Sequence, residues 1–308
     1  MIKRTIEISQ QPVHLSVRLG QLTIQPFDAE KDQSTSIPCE DIGLLLIDEP
    51  RTMMTQGAME ALCRAGAVVV VCGRDHLPAG VMLPVCDHGL EVSRLRDQIA
   101  MTQPLKKRVW QQLVVAKIEA QGRNLPGDTP PYKRLAVLAR EVKSGDPSNV
   151  EAQAAKVYWS AWLAGDPRQA AFRRDKDGKD IVNAMLNYGY AVVRAAVARA
   201  LVAAGLQPAL GVHHSNRANP FCLADDLLEP LRPLVDAIVR DLARGPAAEQ
   251  GQLDQPIKAH LLSVLTLTTR AGDQTGPLMV NIHRMVGSLL RCMEKKDKRL
   301  LIPTALDG

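Results

Sequence analysis

Gly43-Leu-Leu-Leu-Ile-Asp48 and Ala67-Val-Val-Val-Val-Cys72 carry no polar side chain on either face until they end. Successive side chains of a strand point to opposite faces, so a strand with one wet side alternates apolar and polar residues. These unbroken runs therefore read as central strands covered on both sides. Between them, Met53 to Ala65 has helical spacing and stops at Gly66, which predicts one intervening helix. Outward toward the N-terminus, Thr5–Ile8, His14–Leu19 and Leu22–Gln25 read as further strands. Past Leu90 the pattern changes to helices over 90–121, 132–143, 148–164, 180–204, 230–244, 258–271 and 277–294. Strands followed by a run of helices predict an α+β chain of two parts. These are a small N-terminal β-rich domain over 1–86 and a larger all-α catalytic domain over 87–308, joined around Pro78–His88.

A chain of 308 residues can bury two good cores, and its net charge of +5 suits a polyanionic partner. No apolar run reaches membrane-spanning length, and Met1-Ile-Lys-Arg-Thr-Ile-Glu-Ile reads as a first strand instead of a leader. The six cysteines, Cys39, Cys63, Cys72, Cys86, Cys222 and Cys292, form no C-x-x-C pair. Reduced thiols of a cytoplasmic protein are expected, with neither a zinc ribbon nor a disulfide framework. A nucleoside-triphosphate motor is unsupported, because no G-x-x-x-x-G-K-S/T loop occurs.

The chemistry concentrates in Gly211-Val-His-His-Ser-Asn-Arg-Ala-Asn-Pro-Phe-Cys-Leu-Ala-Asp-Asp-Leu-Leu-Glu-Pro-Leu-Arg-Pro-Leu-Val-Asp236. His213 and His214 lie in a polar loop, and Asp225, Asp226 and Glu229 follow at the start of a helix. Acids at a helix start are favoured by the dipole alone. Imidazole and carboxylate crowded together are also ligands for a divalent ion that keeps positions open for substrate oxygen. Pro230 and Pro233 put Glu229 in or just before the first regular turn.

Upstream, Ser148 and Glu151 have capping-box spacing, yet Glu151 also heads the stripe Ala154, Ala155, Tyr158, Trp159 and Trp162 that turns inward. A cap and a metal ligand are both consistent with Glu151. In the helix from Asp180, Asn183, Asn187 and Tyr190 share a face. Asparagine is a poor interior helix residue, so a phosphate contact, a supporting role or an interhelical hydrogen bond should reward it. Arg173, Arg174 and Lys179 lie in the mixed-charge turn just before, either a solvated loop or a contact for a polyanion. Arg284, Arg291, Lys295, Lys296, Lys298 and Arg299 form the densest basic cluster, either a solvated helix end or a phosphate track. With aromatics at 3%, contact with a nucleic acid would be mainly to its backbone.

Three ordered motifs carry a resemblance. They are N-V-E-A-Q-A-A-K-x-Y-W from Asn149, D-x-x-N-x-x-L-x-Y-G-Y from Asp180, and G-x-H-H…N-P-F-x-L-A-D-D-L-x-E-P-x-R-P-x-V-D from Gly211. Together they closely resemble the CRISPR-associated integrase family, protein one of the spacer-acquisition machinery, and in overall look its type II branch. The resemblance implies a catalytic Mg²⁺ or Mn²⁺ held by Glu151, His214 and Glu229, with Asp226 a supporting acid. His213 is the alternative to its neighbour. It also implies DNA strand transfer and cleavage, a homodimer through the N-terminal domain, and bridging by the small CRISPR-associated protein two. In a type II system the effector nuclease would help choose the fragments. A plain metal-dependent DNase and a non-catalytic DNA-binding scaffold are the competing readings.

Overall fold

The computed structural model describes residues 3–28, 34–74, 76–85, 89–164, 172–178, 180–246 and 251–306. The expected domain boundary at 86/87 and Lys179 lie outside them. In chain order the N-terminal region holds β1 Arg4–Ile8, β2 Val13–Arg18, β3 Gln21–Pro26, β4 Thr35–Pro38, β5 Ile42–Ile47, β6 Met53–Met54, α1 Gln56–Arg64, β7 Val68–Cys72 and β8 Pro78–Met82. They make two four-stranded sheets, β1-β5-β7-β8 and β4-β3-β2-β6. β5 lies parallel to both β1 and β7, and β8 closes the first sheet antiparallel to β7.

The two apolar runs are central, as their composition predicts. Leu44, Leu46, Val68 and Val70 face the large helical core, while Ile42, Leu45, Ala67 and Val69 face a smaller core with Leu15, Leu22 and Leu62. Alternation along each strand thus feeds two apolar layers. The predicted helix over 53–65 begins only at Gln56, because Met53 and Met54 pair with His14 and Leu15 of β2. The residues expected to connect the domains instead begin with strand β8.

The helical region holds α2 Glu91–Ile99, α3 Gln103–Arg123, α4 Pro130–Glu141, α5 Val150–Ala161, α6 Ile181–Ala203, α7 Cys222–Leu228, α8 Arg232–Arg244, α9 Gln255–Leu262 and α10 Leu278–Met293. The predicted helix over 90–121 divides at Ala100–Thr102, where Pro104 fits only the first turn of a new helix. The central element is α6, buried along most of its length.

This region is not all-α. The predicted helix over 258–271 stops at Leu262, passes through a 3-10 turn at Ser263–Thr266, and continues as β9 Thr268–Ala271. β9 pairs with β10 Gln274–Pro277 across a turn at Gly272 (φ 62°) and with β11 Thr304–Ala305. Thr268 and Thr269 favour the extended backbone, and the buried Asn281 amide donates to the Thr269 carbonyl at 2.8 Å, pinning the hairpin to α10. Likewise the helix expected over 230–244 starts at Arg232. Pro230 and Pro233 remove two backbone donors, so α7, a 3-10 turn at Glu229–Leu231 and α8 follow one another as separate pieces.

Candidate metal centre

Asp226, fully buried on α7, organises the loop that carries the histidines. Its Oδ2 accepts from the backbone N–H groups of Val212 (2.6 Å) and His213 (3.0 Å), and its Oδ1 accepts from the N–H of His214 (3.1 Å). The loop wraps this closely only because residue 211 is glycine, since a Cβ there would lie 2.3 Å from the His214 carbonyl oxygen and 2.9 Å from Asp226 Oδ2. The same Oδ1 meets His214 Nδ1 at 2.6 Å. An ionised carboxylate only accepts, so Nδ1 carries the hydrogen and the Nε2 lone pair of the neutral ring is left for a ligand. That hydrogen bond is also the main cause of a raised His214 pKa, opposed by burial.

The adjacent histidines differ sharply. His213 stacks on the buried Trp110 of α3, with ring centroids 4.0 Å apart and planes within 2°. His214 meets the same indole only edge-on, at 5.7 Å.

Glu229 sits in the 3-10 turn between α7 and α8, 6% exposed. Glu151 lies in the first turn of α5, but the predicted capping box with Ser148 does not form. Asn149, in the left-handed region at φ 48°, caps the helix by accepting from Ala152 N–H, and Asp146 takes the N–H groups of Val150 and Glu151. The Glu151 carboxylate is therefore not consumed by the cap.

Both glutamates converge on one cation. Lys117 Nζ of α3 donates to Glu151 Oε1 at 2.5 Å and to Glu229 Oε2 at 2.6 Å, and Arg232 Nε donates to Glu229 Oε1 at 3.0 Å. Burial opposes the Glu229 charge, but Arg232 and Lys117 outweigh it and hold its pKa down to about 2. Burial likewise works against the Lys117 charge, and the two glutamates overcome it and raise its pKa. Among the described residues, no three His, Cys, Asp or Glu side chains enclose a point ready for an ion. The donor set nonetheless suits a hard divalent cation: two converging carboxylates already bracket a positive charge, and an oriented imidazole is carried by the neighbouring loop.

Behind the carboxylates, a cavity of about 200 Å³ is lined by Lys117, Arg174, Tyr190, Glu229, Arg232 and Asp236, among others. Arg174 donates to Asn183 Oδ1 (2.8 Å) and Asn187 Oδ1 (2.6 Å), which accounts for asparagine in the interior of α6. Its guanidinium and that of Arg232 lie over the Tyr190 ring, at 5.4 and 4.5 Å from the centroid. The Tyr190 and Tyr158 hydroxyls both donate to buried Asp236. Gly189 permits this approach of α6 to α8, where a Cβ would lie 2.4 Å from Val235 Cγ1. Asn183, Asn187, Tyr190 and Arg174 thus form one cluster at the site's edge. Arg173 contributes its carbonyl to Asn183 while its side chain faces solvent.

Lys295, Lys296, Lys298 and Arg299 are exposed beyond α10. Lys296 pairs with Glu294 at 2.7 Å, and Gln112 of α3 ties the segment down through the Lys298 carbonyl and the Leu300 N–H. No contact among the described residues joins the four basic side chains to Glu151, His214 or Glu229.

Sequence reasoning missed Lys117, Arg232 and Asp236. Lys117 had a signal: it continues the inward stripe Trp110, Leu113 and Val114 of α3, where a lysine has no packing reason to sit.

A fold of this kind around a carboxylate–imidazole cluster has known relatives. The family model described as CRISPR associated protein Cas1 matches residues 6–264, and the chain belongs to that family. It is 38% identical over 299 residues to the CRISPR-associated endonuclease Cas1 of Neisseria meningitidis serogroup C (strain 8013), covering 95% of this chain and 93% of the relative. Among solved structures, a casposase bound to integration product superposes with a TM-score of 0.78 at 19% identity, over 96% of this chain and 92% of the other. A Cas6-RT-Cas1–Cas2 complex superposes at 0.75 and 17% identity, over 99% of this chain and 36% of that one. The described residues include no helix long and apolar enough to cross a membrane, and among them Cys39, Cys63, Cys222 and Cys292 are free thiols.

Proposed function

We propose that the chain is a DNA integrase with endonuclease activity that joins a new fragment to a CRISPR repeat, using Mg²⁺ or Mn²⁺ held by Glu151, His214 and Glu229. One observation carries this reading: Glu151 and Glu229, from separate elements, share a single cation while Asp226 leaves His214 Nε2 free. When bound, the ion supplies Lewis-acid polarisation of the scissile phosphate and stabilises charge on the departing oxygen. The chain's own groups do the rest. Asp226 fixes the ring of His214, and Arg174 and Arg232 present positive charge to a cavity of phosphate dimensions. The 3′-hydroxyl of the incoming fragment attacks a repeat phosphodiester. One P–O bond forms and one breaks, and the hydroxyl proton ends on the departing oxygen, so no nucleotide is hydrolysed. With water as nucleophile the same arrangement cuts DNA.

The relatives support the partners as well. The names of similar proteins specify an endonuclease, an integration product and a complex with Cas2. We assign this chain DNA, a second copy of itself through the β-rich region, and the small CRISPR-associated protein two as bridge. If it works in a type II setting, the effector nuclease joins them, in the cytoplasm.

The test is a joining assay with a labelled fragment and a repeat-containing duplex. The account expects a joined product only with a 3′-hydroxyl and a divalent ion, and none with a 3′-deoxy fragment or excess chelator. Metal-dependent cutting without joining would reduce the reading to a nuclease. DNA binding without either reaction would leave a scaffold.

A further inference from the structure

The place between Glu151 and Glu229 is already taken, and by a group well suited to leave. Lys117 Nζ bridges the two carboxylates at 2.5 and 2.6 Å, and its side chain is 12% exposed. Without a cation there, two largely buried carboxylates would repel each other, with Arg232 on Glu229 as the remaining partner. With it there, no three ligating side chains among the described residues are arranged to enclose an ion. We propose that Lys117 is a resident cation that holds the two glutamates together until a divalent ion displaces it. It is then a positioning residue that moves to a phosphate in the adjoining cavity. This rests on the assignment of Glu151 and Glu229 as metal ligands.

Three observations make the exchange physically reasonable. Lysine is a compact charge on a flexible four-carbon stem, so its head can move without displacing α3. Space exists for it, because Lys117 lines the cavity of about 200 Å³ together with Arg174 and Arg232. Two arginines, Arg174 and Arg232, line that cavity, and its one further carboxylate, Asp236, already accepts from Tyr158 and Tyr190, so an ammonium entering it gains from an added anion, and a DNA phosphate is the anion the reaction brings. Arg232 stays on Glu229 Oε1 through the exchange, since it occupies the oxygen that Lys117 does not. Ion entry, carboxylate capture and phosphate binding would thereby be linked through one side chain.

An occupant present nine times in ten lowers a competing ligand's apparent affinity about tenfold. Mn²⁺ titration of the metal-free protein, read by the electron paramagnetic resonance of free ion, should show Lys117→Met binding Mn²⁺ about tenfold more tightly than the parent. Lys117→Arg, which keeps the charge, should not gain affinity. Glu229→Gln should bind at least about tenfold more weakly, and an unchanged Glu229→Gln would sink the ligand assignment itself. If Glu229→Gln weakens binding but Lys117→Met fails to tighten it, the ligands stand and the displacement idea is wrong. Should Lys117→Met fail to fold, amine acetylation of the parent decides by mass spectrometry. Lys117 labelling should rise severalfold when Mg²⁺ is added, and unchanged labelling overturns the proposal.

Discussion

Among the described residues, two lysines are buried against carboxylates, Lys258 and Lys117, and they are not equivalent. Lys258 of α9 reaches Asp48, at the C-terminal end of β5, and both are almost wholly enclosed. His76 contacts the same carboxylate at 3.0 Å. That cluster ties the central sheet to the helical region, one acid to one ammonium. Lys117 instead serves two acids and opens onto a cavity flanked by two arginines. Burial and ion pairing are common to both, so neither marks a reactive site. The surplus of carboxylate oxygen around one exchangeable cation, with room beside it, makes the difference.

The largest expected effect breaks the open cluster. Glu229→Gln keeps the volume but removes the charge. Joining should fall by a thousandfold or more, because an ion's electrostatic stabilisation is worth several kcal/mol, or about 4 kcal/mol of barrier. A variant retaining a tenth of parental activity would remove Glu229 from the site. The closed cluster should respond in stability instead. Lys258→Met leaves Asp48 buried and unpaired except for His76, costing about 3–5 kcal/mol in urea unfolding, while Mn²⁺ affinity of the folded protein stays at the parental value. A stable variant with abolished Mn²⁺ binding would reverse the two roles.

The histidines sharpen the contrast at smaller scale. His213→Ala removes a stacked ring pair worth about 0.5–1.5 kcal/mol beyond its buried area, and should lower stability with joining retained. His214→Ala should do the opposite, reducing joining about a hundredfold with little change in thermal midpoint, because the Asp226 hydrogen bond to Nδ1 leaves Nε2 for the proposed ion. An inactive His213 variant beside an active His214 variant would exchange the assignments. Smallest of all is the basic segment. Replacing Lys295, Lys296, Lys298 and Arg299 with Ala should leave the rate at saturating DNA unchanged. The plot of log affinity against log salt should flatten by roughly one unit for each phosphate no longer neutralised. Equal slopes would leave only a solvated helix end.

Much of this was legible in the chain. The two apolar strands and the long α6 announce themselves because their side-chain periods are unbroken over many residues. His213, His214, Asp226 and Glu229 stand out because imidazole and carboxylate crowd into one stretch, whereas Glu151 and the choice of His214 over His213 came from the motifs of the family that the chain resembles. The sheet of β9, β10 and β11 was hidden: Leu261 to Ala271 fits a helical period as well as a strand, and only the pairing of β9 with β10 and with distant Thr304–Ala305 separates the two. The Asn149 and Asp146 cap was masked by Ser148, which offers the more familiar spacing. Arg174 could be placed near the site but not against Asn183 and Asn187, since that contact depends on how a loop folds back on α6. Lys117 is one lysine among the many of a basic chain, and its meaning comes from two acids 34 and 112 residues away.

The most direct test is anomalous diffraction from crystals soaked in Mn²⁺. The account predicts a peak within coordination distance of a Glu151 oxygen, His214 Nε2 and a Glu229 oxygen, with the Lys117 ammonium withdrawn from between the glutamates. A soaked crystal with no peak there, and Lys117 still bridging both carboxylates, would contradict it.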